Sequence, residues 1–139
     1  MRSTAILLSV LTMVLLGCDT GPGQDQLNCP AVTKPAIEVE VVDATTGRYV
    51  AAEAAAVITD GSYRDTLRHG VTTQIEPTLI VKTLVGGFGR SGTYDVSVRH
   101  PRYQSWTRSG VEVPSGHCGP ETQNLEAELR EKETASRLQ

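Results

Sequence analysis

The chain has 139 residues, 39% of them hydrophobic, only 4% aromatic and 21% charged, with a formal net charge of −3. Chains devote on the order of 100 to 200 residues to each core, so this length excludes a two-domain enzyme. The near balance of 13 basic and 16 acidic residues leaves no cationic stripe to neutralise phosphates, which argues against nucleic acid as a partner.

In chain order, Met1 and Arg2 form a short positive end and Ala5 to Leu16 an apolar stretch. About a dozen residues are too few to cross a hydrocarbon core of roughly 30 Å as a helix, but they suit the central part of a secretory signal. The segment ends in Leu15-Leu16-Gly17-Cys18. That ending resembles a bacterial lipobox, in which the thiol is diacylated, the chain is cut before the cysteine and the new amine is acylated. The resemblance implies that residues 1–17 are a lipoprotein signal peptide, that Cys18 carries the lipid, palmitate included, and that a bacterial membrane is a partner through that lipid. Which membrane stays open. Several acyl chains make such attachment effectively stable. Residues 18–33 are rich in Gly, Pro, Gln, Asp and Asn and read as a flexible tether.

From Pro35 the dominant period is two. Ile37, Val39 and Val41 alternate with Glu38, Glu40 and Val42, as in a half-buried antiparallel strand. Asp43-Ala-Thr-Thr-Gly47 supplies a turn. The run from Ala51 to Asp60 is read as a strand, because Val57-Ile58-Thr59 and the Asp60-Gly61 hairpin signal outweigh its alanines. Ser62 to His69 mixes charge into its alternation and suits an edge. Thr78 to Val85 is rich in β-branched residues and is stopped by Gly86-Gly87-Phe88-Gly89-Arg90-Ser91-Gly92, expected to be a mobile connection. Thr93 to His100 alternates most cleanly. Tyr103 to Val113 and Thr122 to Leu129 complete about seven strands, which predicts an all-β fold: a single antiparallel, immunoglobulin-like or prealbumin-like β-sandwich over residues 34–130. Residues 131–139 are charged and are expected to be a disordered tail.

Three cysteines are odd for an exported chain until Cys18 is assigned to lipid. Cys29 and Cys118 remain, and in a compartment that permits disulfides pairing is the natural accounting. The alternative is a metal site built from His117, Cys118 and Glu121 with Cys29, although no paired ligand spacing such as C-x-x-C supports it.

Several segments resemble the carboxypeptidase regulatory-like, or transthyretin-like, domain, a small prealbumin-type sandwich found in bacterial envelope proteins. The residues that carry the resemblance are Val39-Glu-Val-Val-Asp43-Ala-Thr-Thr-Gly47-Arg-Tyr-Val50, Gly92-Thr-Tyr94-Asp-Val96-Ser-Val98, and Tyr103 with Trp106. Tyr49 stands where the family usually has proline, and Arg102 where it has glycine. The resemblance implies a structural module and no particular ligand.

The aromatic residues divide between packing and binding. Tyr94 opens a strand after a connecting loop, so its ring is expected in the core with its hydroxyl returned to backbone, the tyrosine-corner device of sandwiches. Tyr103, Trp106 and Phe88 fit a small core, or alternatively a stacking surface in which Trp106 and Tyr103 contact a glycan or a peptide. Catalytic signatures are missing. His69, His100 and His117 are followed three residues on by Thr72, Tyr103 and Pro120, so none forms the H-x-x-E zinc pair of metallocarboxypeptidases. There is no G-x-S-x-G elbow, phosphate loop, dinucleotide fingerprint or EF-hand sequence. Asp43, Asp60, Asp65 and Asp95 are read as turn residues rather than calcium ligands. The expectation is therefore a lipid-anchored envelope module, non-catalytic and without a cofactor, acting as a binding or structural accessory toward an envelope protein or glycan. A glycan- or peptidoglycan-binding module is the alternative, and a small metal-dependent enzyme comes third.

Overall fold

In the computed structural model the described residues are 28–133, so Cys18, the signal segment and most of the tether lie outside them. The period-two pattern at Ile37 is realised as β1 (Ile37–Asp43), in which every second residue from Ile37 to Asp43 is buried. Burial on both sides of β1 comes from its neighbours. β12 (Gln123–Leu129) lies on one side and β7 (Thr83–Gly86) on the other, with β4 (Arg68–His69) at the far edge of this first four-stranded sheet. The second sheet has the order β3 (Tyr63–Thr66), β2 (Ala55–Asp60), β8 (Gly92–Arg99), β9 (Trp106–Val113), and every pairing in it is antiparallel.

One hydrophobic cluster joins the two sheets. Ile37, Val39, Val41, Leu84, Ala127 and Leu129 come from the first, and Ala56, Ile58, Tyr94, Val96, Val98, Val111 and Val113 from the second. Removing such side chains from water is the main favourable contribution to folding, at about 25 cal/mol per Å² of apolar surface. The expectation of a wholly antiparallel fold is corrected here, because β1 and β12 run parallel, Ile37 through Asp43 facing Gln123 through Leu129 in unbroken register. Chain direction explains it. β9 ends at Val113, the small β10 (Ser115–Gly116) and β11 (Gly119–Pro120) hairpin turns the chain, and β12 then enters the first sheet from the end at which β1 begins. That end, where Ile37 and Gln123 pair, is called proximal below, and the end at Asp43 distal.

Other differences from the sequence expectation have local causes. Residues 51–53 form a 3-10 turn, and β2 starts only at Ala55, so the alanines that would suit a helix do turn before the β-branched residues extend. The Ser62 to His69 run divides at Leu67, which is buried and whose N–H donates to Ala56 O. β3 edges the second sheet and β4 the first, so the charge-rich run is an edge twice over. Thr78 to Val85 also divides. Its second half is β7, while β6 (Thr78–Val81) pairs with β5 (Thr72–Ile75), a strand absent from the sequence reading. β5 and β6 continue the β4/β7 ribbon past the level of Val41, whose N–H donates to Lys82 O, and form an arm beyond the distal end. The chain is still tied where the tail was expected to begin: Glu131 bridges Tyr103, and Lys132 N–H donates to Arg102 O at 2.9 Å. Residues 134–139 lie outside the described residues.

Cys29 and Cys118 form a disulfide with an S–S distance of 2.09 Å and Cα atoms 5.2 Å apart. It joins the segment preceding β1 to the β10–β11 turn at the proximal end. The thiolates that a metal site would need are thus consumed. Among the described residues no three His, Cys, Asp or Glu side chains gather as metal ligands do.

Candidate functional site

Polar side chains concentrate at the distal end. Asp43 closes β1 and begins the Asp43 to Gly47 turn; its Oδ1 accepts from the N–H groups of Thr45 at 2.7 Å and Thr46 at 2.9 Å. Its Oδ2 accepts from the Tyr103 hydroxyl at 2.7 Å. The Tyr103 hydrogen bond first, and then the backbone N–H groups, favour the ionised carboxylate and lower its pKa from the ordinary 3.8 to about 2. His100 follows β8 and is buried, its ring edge-on to Tyr103 with centroids 4.7 Å apart. Its Nδ1 accepts from Arg102 N–H at 3.1 Å, which leaves the proton of the neutral ring on Nε2. Among the described residues Nε2 has no hydrogen-bond partner; it lies 3.6 Å from Glu53 Oε2, a carboxylate also 3.9 Å from Arg102 Nε. Burial pushes the His100 pKa down, with Glu53 opposing.

The expected ligand contacts fare differently from that expectation. Tyr103 is 3% exposed, its ring packed on His100 and its hydroxyl held by Asp43, so it fixes the distal end and offers no stacking face. Trp106 pairs with Val98 across β8 and β9, which directs it to the core side, where it is half-buried against the cluster. Phe88 is covered by the Arg68 guanidinium at 4.2 Å, and Tyr63 by that of Arg90 at 4.3 Å. Tyr94 is fully buried and its hydroxyl donates to Arg90 O at 2.9 Å, the corner arrangement expected of it. No exposed aromatic row lies on either sheet among the described residues.

The four aspartates proposed as turn residues are dispersed. Asp65 Oδ2 accepts Gly87 N–H at 2.9 Å, Asp95 Oδ1 accepts Gly110 N–H at 3.0 Å, and Asp60 sits 3.9 Å from Arg90. The glycine-rich loop is not a loose connection: Gly89 N–H donates to Lys34 O and Arg90 N–H to Gly87 O, so backbone bonds fasten it to the segment entering β1 and to itself.

The outer faces of the sheets carry the groups that sequence reasoning did not single out. On the first sheet the residues between the buried positions include Glu38, Glu40, Glu126 and Glu128, with Glu40 directly opposite Glu126. On the second sheet small side chains of β2, β8 and β9 floor an open trough of about 340 Å³, with Arg64 at one end and Arg99 at the other and the hydroxyls of Thr59, Ser97, Thr107 and Ser109 along it. Neither arginine is in a salt bridge among the described residues. The alternation of β2 and β8 was visible in sequence; the lateral order β3-β2-β8, which brings Arg64 and Arg99 to one face, was not. No family model matches the chain, and no curated protein matches it.

The Asp43–Tyr103 pair gives a pH prediction. The folded carboxyl titrates below its ordinary value, so its contribution is complete above pH 3.8 and is lost as the pH falls toward 2. Tyr103→Phe is expected to cost about 1 kcal/mol near neutrality. The gap between wild type and variant in urea unfolding should narrow as the solution is acidified through that window; a constant gap would show that the hydroxyl does not act on the carboxylate.

Proposed function

We propose that this chain is a lipid-anchored module of the bacterial cell envelope, a prealbumin-type β-sandwich of the carboxypeptidase regulatory-like kind that acts through its surface as a non-catalytic binding or structural accessory. The observation that carries the reading is the Cys29–Cys118 disulfide. Such bonds persist in oxidising compartments outside the cytosol, and this one leaves Cys18 as the single remaining cysteine, placed in the lipobox-like sequence. The shared core of two four-stranded sheets supports the sandwich. Surface action is supported by the interior engagement of Tyr94 and Tyr103, against an outer face where Arg64, Arg99 and a row of hydroxyls are open to solvent. Glycan binding through Trp106 and Tyr103 has less support, since Tyr103 is buried and Trp106 is half-buried against the core.

The anchor is tested in the full chain expressed in a bacterial host and labelled with a clickable palmitate analogue. The wild type is expected to take up label and to partition into the detergent phase on Triton X-114 separation, whereas Cys18→Ala should lose the label and remain as the longer precursor. Label retained in Cys18→Ala, or a wild type that partitions into the aqueous phase, would remove lipid anchoring from the reading.

A further inference from the structure

Exposed aliphatic side chains are concentrated on the distal arm. Val71 is 51% exposed, Ile75 56% and Leu79 55%, and Glu76 at the turn is the sole ionisable residue from Thr72 to Val81. Alternation sorts the arm into two faces. Val81 is buried against the body, so the face it shares with Leu79 points inward and the face of Val71, Thr73 and Ile75 points away. Among the described residues β5 pairs only with β6, which leaves its other edge open. Val71 O accepts from Lys82 N–H, and from there the antiparallel alternation directs the N–H and C=O of Thr72 and Gln74 outward along that edge. The edge carries no charged side chain and no proline between Thr72 and Ile75, so apart from its shortness it lacks the usual protection of a free strand.

We propose that the β5 edge pairs with the β5 edge of a second copy of this chain, antiparallel and about a two-fold axis through Thr73. The register favours a second copy over a foreign strand. With Thr73 opposite itself, Val71 falls opposite Ile75 of the second copy and Ile75 opposite Val71, on the same outward face. Thr72 and Gln74 then exchange the hydrogen bonds their outward groups lack, and β-branched side chains stand in cross-strand pairs, which is where they contribute most. The result is a four-stranded sheet with one two-stranded arm on each side of the axis. A contact of four or five residues per copy covers only a few hundred Å², less than the ~800 Å² per partner of a standard interface, so the pair is weak in dilute solution. Co-anchored copies would meet at a far higher local concentration. Only that concentrating effect rests on the lipid-anchored reading; the edge pairing does not, and is therefore tested in detergent as well as in vesicles.

The full chain carrying Thr73→Cys is oxidised alongside a control carrying Thr107→Cys, an exposed position on the second sheet. Cβ atoms of directly opposed residues lie within disulfide reach, so covalent dimer is expected to form at least about tenfold faster from Thr73→Cys than from Thr107→Cys. Adding Gln74→Pro, which removes an outward N–H without touching the β5–β6 ladder, should abolish the difference, and circular dichroism verifies that the body remains folded. Equal cross-linking at both positions, a Thr73→Cys rate unchanged by Gln74→Pro, or a Thr73→Cys chain that stays monomeric would overturn the proposal.

Discussion

Replacing Cys29 and Cys118 together by serine is expected to lower the stability of the folded chain by about 2 to 5 kcal/mol. The bond closes a loop with a sequence separation of 89 residues, long enough for the constraint on the unfolded chain to be substantial. The folded state should change little. The same two segments are already joined by Thr122 Oγ1 donating to Pro35 O at 2.6 Å and Gln123 N–H donating to Ala36 O at 2.8 Å, and these bonds survive the substitution. The variant is therefore expected to keep its far-ultraviolet circular dichroism while its melting temperature falls, and a reductant added to the wild type should reproduce the shift. A domain of about 100 residues loses roughly 4 to 8 °C per kcal/mol, so the drop is easily measured. An unchanged melting temperature would mean that the bond does not constrain the unfolded chain.

Gly87→Ala is the second large effect, at about 2 to 4 kcal/mol. Gly87 has φ +68°, a region that costs a residue with a Cβ roughly 1 kcal/mol or more. A Cβ there would also stand 2.9 Å from Ala36 Cβ and 3.0 Å from Ile58 Cδ1, both fully buried. Ala36 cannot yield cheaply, because its N–H donates to Gly86 O and its carbonyl accepts from Gln123. Gly47→Ala separates the two causes. Gly47 has φ +69° but nothing within 4 Å of the added atom, so its substitution measures backbone strain alone and should cost about 1 kcal/mol. Thermal unfolding of both variants decides the matter; equal losses would show that overpacking at Gly87 contributes nothing.

What the sequence made legible follows from the range of the interaction involved. The alternation in β1, β8 and β12 is local, so it could be read directly, and the buried positions fall where the pattern places them. The cysteine pairing could be inferred by counting. Tyr94 was legible because its partner is four residues away. Tyr103 was not, since its hydroxyl meets Asp43 across 60 residues, and from sequence a tyrosine and a tryptophan near a strand start fit a stacking platform equally well. Leu67 and Lys82 illustrate a second limit. Each sits where the chain leaves one ladder for another, and no periodicity signals that step because residues on both sides keep strand character. The β5 strand was missed because Thr72-Thr73-Gln74 carries no apolar alternation; it forms because the ribbon below it sets the register.

The parallel pairing of the first and last strands also fixes an order of events. Among the described residues β1 is the first strand and β12 the last, with Ile37 and Gln123 in register across nearly the whole domain. A chain that emerges amino-terminus first, from a ribosome or through a membrane pore, cannot complete the sheet that holds β1 until almost every other residue has followed. Pairings of such long sequence separation also form slowly, because the loop between them must close before the contact is rewarded. The early strand, with its row of isoleucine and valine, can pair on one side once β7 has followed, but its other edge waits for the late one. That delay is the interval in which the chain is most exposed to aggregation and to proteolysis, and β12 is the segment whose truncation would prolong it indefinitely.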